Sequence, residues 1–190
     1  MKKKAGILGG TFNPPHLGHL MIANEVLEAL QLDEVRFMPN YHPPHKEMDH
    51  RVTDEDRIHM LQAAIDGHPR FVLELIEMER KGTSYTFDTM KALQEQEPET
   101  EFYFIIGGDM IEYLPKWYKI AELSRMVTFA GVRRPGYSVE TPYPVKLVDT
   151  PEIYLSSTML RQRAASGGTL RYLLPEKVIA YIKENRLYEA

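Results

Sequence analysis

The sequence predicts an α/β fold, a single parallel sheet doubly wound with helices on both faces. Three observations carry that expectation. Short apolar runs alternate along the chain with longer segments of helical periodicity. One run, residues 101–106 (EFYFII), is almost continuously apolar, as a strand covered on both faces must be. The positions just after several runs carry Gly9-Gly10-Thr11, Pro39-Asn40, Gly107-Gly108-Asp109 and Arg133-Arg134. Open α/β sheets hold their ligands at those strand ends, so chemistry-bearing residues there agree with the fold.

In chain order, residues 4–8 (KAGIL) and 35–38 (VRFM) read as strands, with an amphipathic helix over about 17–30 between them. Residues 71–76 (FVLELI) alternate at period two and read as a third strand. Helical patterns fall at about 54–66, with Thr53 as N-cap, and at about 85–96, with Ser84 capping. Residues 127–132 (VTFAGV) and 145–148 (VKLV) add further strands. The chain closes on helices at 157–165 and 175–185, where Pro175 suits a first helical position. At 190 residues the chain fits one domain, 1–190, with a small helical part from about 156 onward. Residues 41–51 (YHPPHKEMDHR) read as an exposed loop near the strand ends.

Composition narrows the partners. The absence of cysteine excludes a disulfide framework and thiolate metal sites, and fits a reducing, cytoplasmic compartment. No apolar run is long enough to cross a bilayer, and the apolar stretch after MKKK is too short for a signal peptide. A net charge of −4 argues against binding a nucleic-acid backbone through overall charge. Any anion site must be local.

The stretch GGTFNPPHLGHL, residues 9–20, is where such a site is expected. Gly9 and Gly10 end the first strand, where missing side chains let phosphates approach backbone N–H groups at a helix start. The dinucleotide fingerprint and the P-loop pattern are both absent, so a plain tight turn is the alternative. Pro14 and Pro15 forbid helix before them, so the helix begins near His16. His16 and His19 then share one face of its first turn, with Gly18 leaving that face open. Two histidines without a third ligand make a poor zinc site. Capping the helix or donating to phosphate oxygens are the other readings, and the sequence leaves their protonation open. Near the other end, LSSTMLR, residues 155–161, combines Ser157 as a helix cap with Arg161 one turn on, able to fork onto phosphate.

His16-Leu17-Gly18-His19 and Ser156-Ser157-Thr158-Met159-Leu160-Arg161 together resemble the two signatures of the nucleotidyltransferase superfamily. MPNYHPPHK (38–46), SYTFDT (84–89), IIGGDM (105–110) and LPKWYK (114–119) resemble, over nearly the whole length, the bacterial nicotinate-nucleotide adenylyltransferases. That resemblance implies a Rossmann-like nucleotidyltransferase fold and transfer of AMP from ATP to nicotinate mononucleotide, giving deamido-NAD and pyrophosphate. It implies His16, His19, Lys46 and Arg161 as catalytic residues. It implies Gly9, Gly10, Thr11, Phe12, His19, Gly107, Asp109, Arg134, Ser156, Ser157 and Arg161 at ATP, and Asn40, Lys46, Thr86, Trp117 and Tyr118 at the mononucleotide.

Each of these residues has an ordinary alternative. Lys46 could be solvated, Asp109 could cap a helix, and Arg133 and Arg134 could be a surface pair. Trp117 between Lys116 and Tyr118, after Pro115, is in poor company for a core position and suits stacking on a planar pyridine ring. Mg2+ is expected on the ATP phosphates rather than in a protein cage, with no metal site formed by side chains. A homodimer occurs among relatives, and no residue here argues for an interface. The nearest rivals are a transferase of the same fold acting on nicotinamide mononucleotide, phosphopantetheine or a choline-type phosphate, then a non-enzymatic nucleotide-binding regulator, then a zinc-binding module.

Overall fold

A computed structural model of the chain describes residues 2–41, 51–133 and 140–189. Six strands form one sheet: β1 (Lys3–Gly10), β2 (Glu34–Pro39), β3 (Phe71–Leu73), β4 (Thr100–Gly107), β5 (Thr128–Val132) and β6 (Val145–Val148). Their order is β3-β2-β1-β4-β5-β6, and every neighbouring pair is parallel. The chain winds outward from β1 through β2 to β3, then returns to β4 on the other side of β1. That reversal opens a crevice at the carboxyl ends of β1 and β4.

Eight helices lie among the described residues: α1 (Leu17–Ala29), α2 (Asp54–Ile65), α3 (Ile76–Arg80), α4 (Thr86–Gln96), α5 (Gly108–Tyr113), α6 (Ile120–Met126), α7 (Ser157–Ala165) and α8 (Glu176–Glu184). On one face Ile7, Met38, Phe104 and Phe129 pack against Met90, Leu93, Ile111 and Leu123 from α4, α5 and α6. On the other, Leu8, Phe37, Ile105 and Val132 pack against Val26 and Leu27 of α1 and Leu61 and Ile65 of α2. Burial on both faces is why the strands read as apolar runs. The opposite side of α2, with Met60 and Ala64, packs on Leu160, Val178 and Ile182, so α7 and α8 are fastened to the sheet through α2.

Four local expectations are corrected. The third strand stops at Leu73, because Glu74 turns to bond Arg36 and the Ile76 N–H, and Ile76 opens α3. Ser84 does not cap α4: Tyr85 holds the cap position, and the Ser84 hydroxyl accepts the Tyr41 N–H at 3.2 Å. Ser156, not Ser157, caps α7, accepting the Met159 N–H at 3.2 Å. Pro175 stands at the N-cap of α8, one residue ahead of its first turn. The short helices α5 and α6, joined by a 3-10 turn over Leu114–Lys116 and a left-handed Lys119, were absent from the sequence reading. Six or seven residues are too few to display a full amphipathic period.

Candidate active site

The chain leaves β1 through Phe12, whose φ of 49° turns its ring back beneath the strand end. A Cβ on Gly10 would stand 3.1 Å from that ring, a contact so tight that the ring would have to give way. Phe12 is 1% exposed and lies edge-on to His19, centroids 5.0 Å apart. Its side chain supports the histidine and is closed to solvent.

His16 sits at the N-cap of α1 with extended backbone, where the two prolines place it. Its N–H donates to Nδ1 of His19 at 3.1 Å, and the two rings stack at 3.7 Å and 23°. With Nδ1 accepting, His19 is the tautomer that carries its proton on Nε2. Gly18 does not keep the face open. A Cβ there would stand 3.0 Å from Nδ1 of His16, so its missing side chain is the space into which the His16 ring folds. His16 is 5% exposed, and His19 is half-buried.

The second signature docks on this loop from the far end of the chain. Ser157 Oγ donates to the Pro14 carbonyl at 2.9 Å, and Arg161 Nη1 to the Asn13 carbonyl at 2.9 Å. Arg161 Nη2 also reaches Thr158 Oγ1 at 3.3 Å. The Ser157 hydroxyl proton is therefore committed to the loop, while three of the five N–H groups of Arg161 have no partner among the described residues. The free N–H groups of the α7 N-terminus lie beside it.

The other wall starts at Asn40. Its N–H donates to the carbonyl of Gly10, the last paired residue of β1, at 2.9 Å. Through Tyr41 and Ser84 this loop joins the start of α4, where Thr86 is the first helical residue. Trp117 is half-buried and edge-on to Phe104 and Phe129, with centroids 5.9 and 6.1 Å apart, so it is a firmly packed wall rather than a surface residue. Tyr118 is 46% exposed and packs on Tyr85 at 4.9 Å, with the Lys119 ammonium over its ring. Gly107 is the N-cap of α5, and Asp109 lies in its first turn rather than at the cap. Lys46 and Arg134 lie outside the described residues. Among the described residues no three His, Asp or Glu side chains gather to hold a metal ion, and no helix is long and apolar enough to cross a membrane.

Two residues that the sequence reading missed complete this loop. Arg57 of α2 is fully buried and donates to the Thr11 carbonyl at 2.9 Å and the Asn40 carbonyl at 2.8 Å. A signal was present, since Arg57 falls on the apolar stripe of α2 at helical spacing from Met60, Leu61 and Ala64. Tyr188, near the end of the chain, donates its hydroxyl to Oδ1 of the buried Asn13. No local pattern points to it.

Residues 7–163 match the cytidylyltransferase-like family. The nicotinate-nucleotide adenylyltransferase of Bacillus subtilis is 55% identical over 188 residues, covering 99% of this chain and all of that one. A protein of Geobacillus thermodenitrificans named "Probable nicotinate-nucleotide adenylyltransferase" is 56% identical, covering 98% of this chain and 87% of its own. In fold, the nicotinic acid mononucleotide adenylyltransferase of Plasmodium falciparum, solved with NaAD, superposes with a TM-score of 0.82 at 20% identity, covering 98% of this chain and 97% of that one. The sheet order, the paired histidines and the full-length identity converge, and the chain belongs to the cytidylyltransferase-like family, among its nicotinate-nucleotide adenylyltransferases.

Proposed function

We propose that this chain transfers AMP from ATP to nicotinate mononucleotide, forming deamido-NAD and releasing pyrophosphate, as a single-domain enzyme of the cytoplasm. The observation that carries the reading is the meeting of two donor sets, 143 residues apart, at the 13–19 loop, where Ser157 bonds Pro14 and Arg161 bonds Asn13 beside the stacked His16 and His19.

In this reading a phosphate oxygen of the mononucleotide attacks the α-phosphorus of ATP in line. The new P–O bond forms as the bond to the β-phosphate oxygen breaks, and pyrophosphate leaves with that electron pair. The attacking phosphate is already an anion, so neither a protein nucleophile nor a general base is needed. Catalysis is then positioning of two anions and stabilisation of charge on the phosphoryl oxygens. His19 Nε2–H, His16, the free N–H groups of Arg161, the α7 N-terminus at Ser156 and Ser157, and Lys46 are assigned that role. Gly9, Gly10, Thr11, the Phe12 backbone, Gly107, Asp109 and Arg134 are assigned to the rest of ATP. Asn40, Lys46, Thr86, Trp117 and Tyr118 are assigned to the mononucleotide, with the pyridine ring on the aromatic wall. Mg2+ enters as part of the ATP complex, which suits an oxygen-ligand ion that keeps its waters and binds through phosphates.

The test is pyrophosphate release from ATP with nicotinate mononucleotide, nicotinamide mononucleotide and phosphopantetheine offered in turn. Release with the first is expected to exceed the others. No release with any of them overturns the reading.

A further inference from the structure

We infer that Arg57 is a positioning residue, a guanidinium clamp that sets the spacing between the loop after β1 and the loop after β2. The inference rests on the reading that residues 9–13 and 40 line the substrate site.

Arg57 lies wholly out of solvent, with Nη1 on the Thr11 carbonyl and Nη2 on the Asn40 carbonyl and on Asp54 at 2.6 Å. Its one carboxylate partner among the described residues is itself 43% exposed, and its buried Nε has no hydrogen-bond partner there. As a stabilising device this is poor, because a buried charge with incomplete pairing is generally outperformed by a well-packed apolar side chain. What an apolar side chain cannot do is hold two carbonyls at a fixed separation, and the rigid fork of a guanidinium can. The two carbonyls belong to adjacent parallel strands just past their paired ends. There the cross-strand link is the Asn40 N–H to the Gly10 carbonyl at 2.9 Å. Thr11 and Asn40 stand on opposite halves of the proposed site, at ATP and at the mononucleotide. Arg57 therefore fixes the distance across which the two substrates must be aligned. It touches neither substrate.

The experiment compares Arg57→Lys, Arg57→Met and Asp54→Asn by amide hydrogen exchange of the full chain and by steady-state kinetics. Asp54 is 43% exposed, and Asn there keeps an amide oxygen that accepts from Arg57 while removing the countercharge, so it is the milder variant that tests the clamp if the Arg57 variants do not fold. Amides in residues 9–13 and 40–41 are expected to exchange about tenfold faster in the variants, with those of β4 unchanged. KM for both substrates rises and kcat/KM falls by about tenfold or more, with the Lys variant between Met and the parent. Unchanged exchange at 9–13 and 40–41, or an equal acceleration in β4, overturns the clamp. The exchange result decides the matter independently of activity. A parent chain that releases no pyrophosphate with any mononucleotide refutes the proposed reaction alone.

Discussion

The backbone N–H of His16 donates to Nδ1 of His19, so one hydrogen bond both closes the first turn of α1 and fixes which nitrogen of His19 holds the proton. Capping and phosphate donation, alternatives in the sequence, are two ends of the same ring. They can be separated. His19→Ala removes both and is expected to lower kcat by ~10²–10³, with a loss of about 1 kcal/mol in stability. His19→Asn places Oδ1 where Nδ1 stands and has nothing where Nε2 stands, so it keeps the cap and loses the rate. Turnover and melting temperature measured on both variants check this. An Asn variant that turns over like the parent reduces His19 to a cap.

The Trp117 ring stands nearly perpendicular to those of Phe104 and Phe129, at 86° and 85°, an arrangement that fixes the plane of the indole. Trp117→Leu keeps an apolar, though smaller, side chain against the core and removes the flat surface. KM for nicotinate mononucleotide is expected to rise about tenfold, as for the loss of an aromatic stack worth ~1–1.5 kcal/mol, with KM for ATP little changed. Equal rises for both substrates contradict the stacking role.

The sheet and the loop after β1 were legible because the physics that makes them is local. Apolar runs buried on both faces, prolines before His16, and glycines at the ends of β1 and β4 all leave marks within a few residues. What escaped was set by contacts across the chain. Arg57 reads as one charge on a helix until Thr11 and Asn40 are brought over it, and Tyr188 is a terminal tyrosine until it meets Asn13. Ser157 was assigned the cap that Ser156 makes, because two adjacent serines are equivalent until the turn is built. The short helices α5 and α6 owe their form to Leu114, Ile120 and Leu123 reaching the core, a tertiary cause without a local period.

Acid weakens this fold at several lowered carboxyls, of which Glu97 is the one paired with a buried arginine away from the site. Arg36 of β2 is 7% exposed and bonds both oxygens of Glu97, at 2.6 and 2.8 Å, with Glu34 on its Nε and Glu74 sharing Nη1 with Glu97. The hydrogen bond from Arg36 holds the Glu97 carboxyl below its ordinary value of 4.5, outweighing burial. A carboxyl lowered in the folded chain contributes its full stability above about pH 4.5 and loses it as pH falls through the folded value. Glu97→Gln is expected to cost about 2 kcal/mol at pH 7 and to flatten the acid limb of the stability curve. Denaturant melts at neutral and acid pH measure both. An unchanged acid limb removes Glu97 as its cause.

Tyr188 ties the end of the chain to the start of the site. Its hydroxyl donates to Asn13 Oδ1, while the Asn13 carbonyl accepts from Arg161, so the residue between Phe12 and the two prolines is held from the C-terminus and from α7 together. Asn13 is 5% exposed, and removing the tyrosine hydroxyl leaves a buried acceptor short of its donor. Tyr188→Phe is therefore expected to destabilise the chain by about 1–3 kcal/mol and, because the loop carries the histidines, to raise KM for ATP more than KM for the mononucleotide. Asn13→Ala removes the other partner. In a double-mutant cycle the two substitutions should be non-additive by about 0.5–3 kcal/mol, as for residues in direct contact. Additive losses would place the stabilising contacts of Tyr188 elsewhere, for example on Met60, 3.8 Å from its hydroxyl.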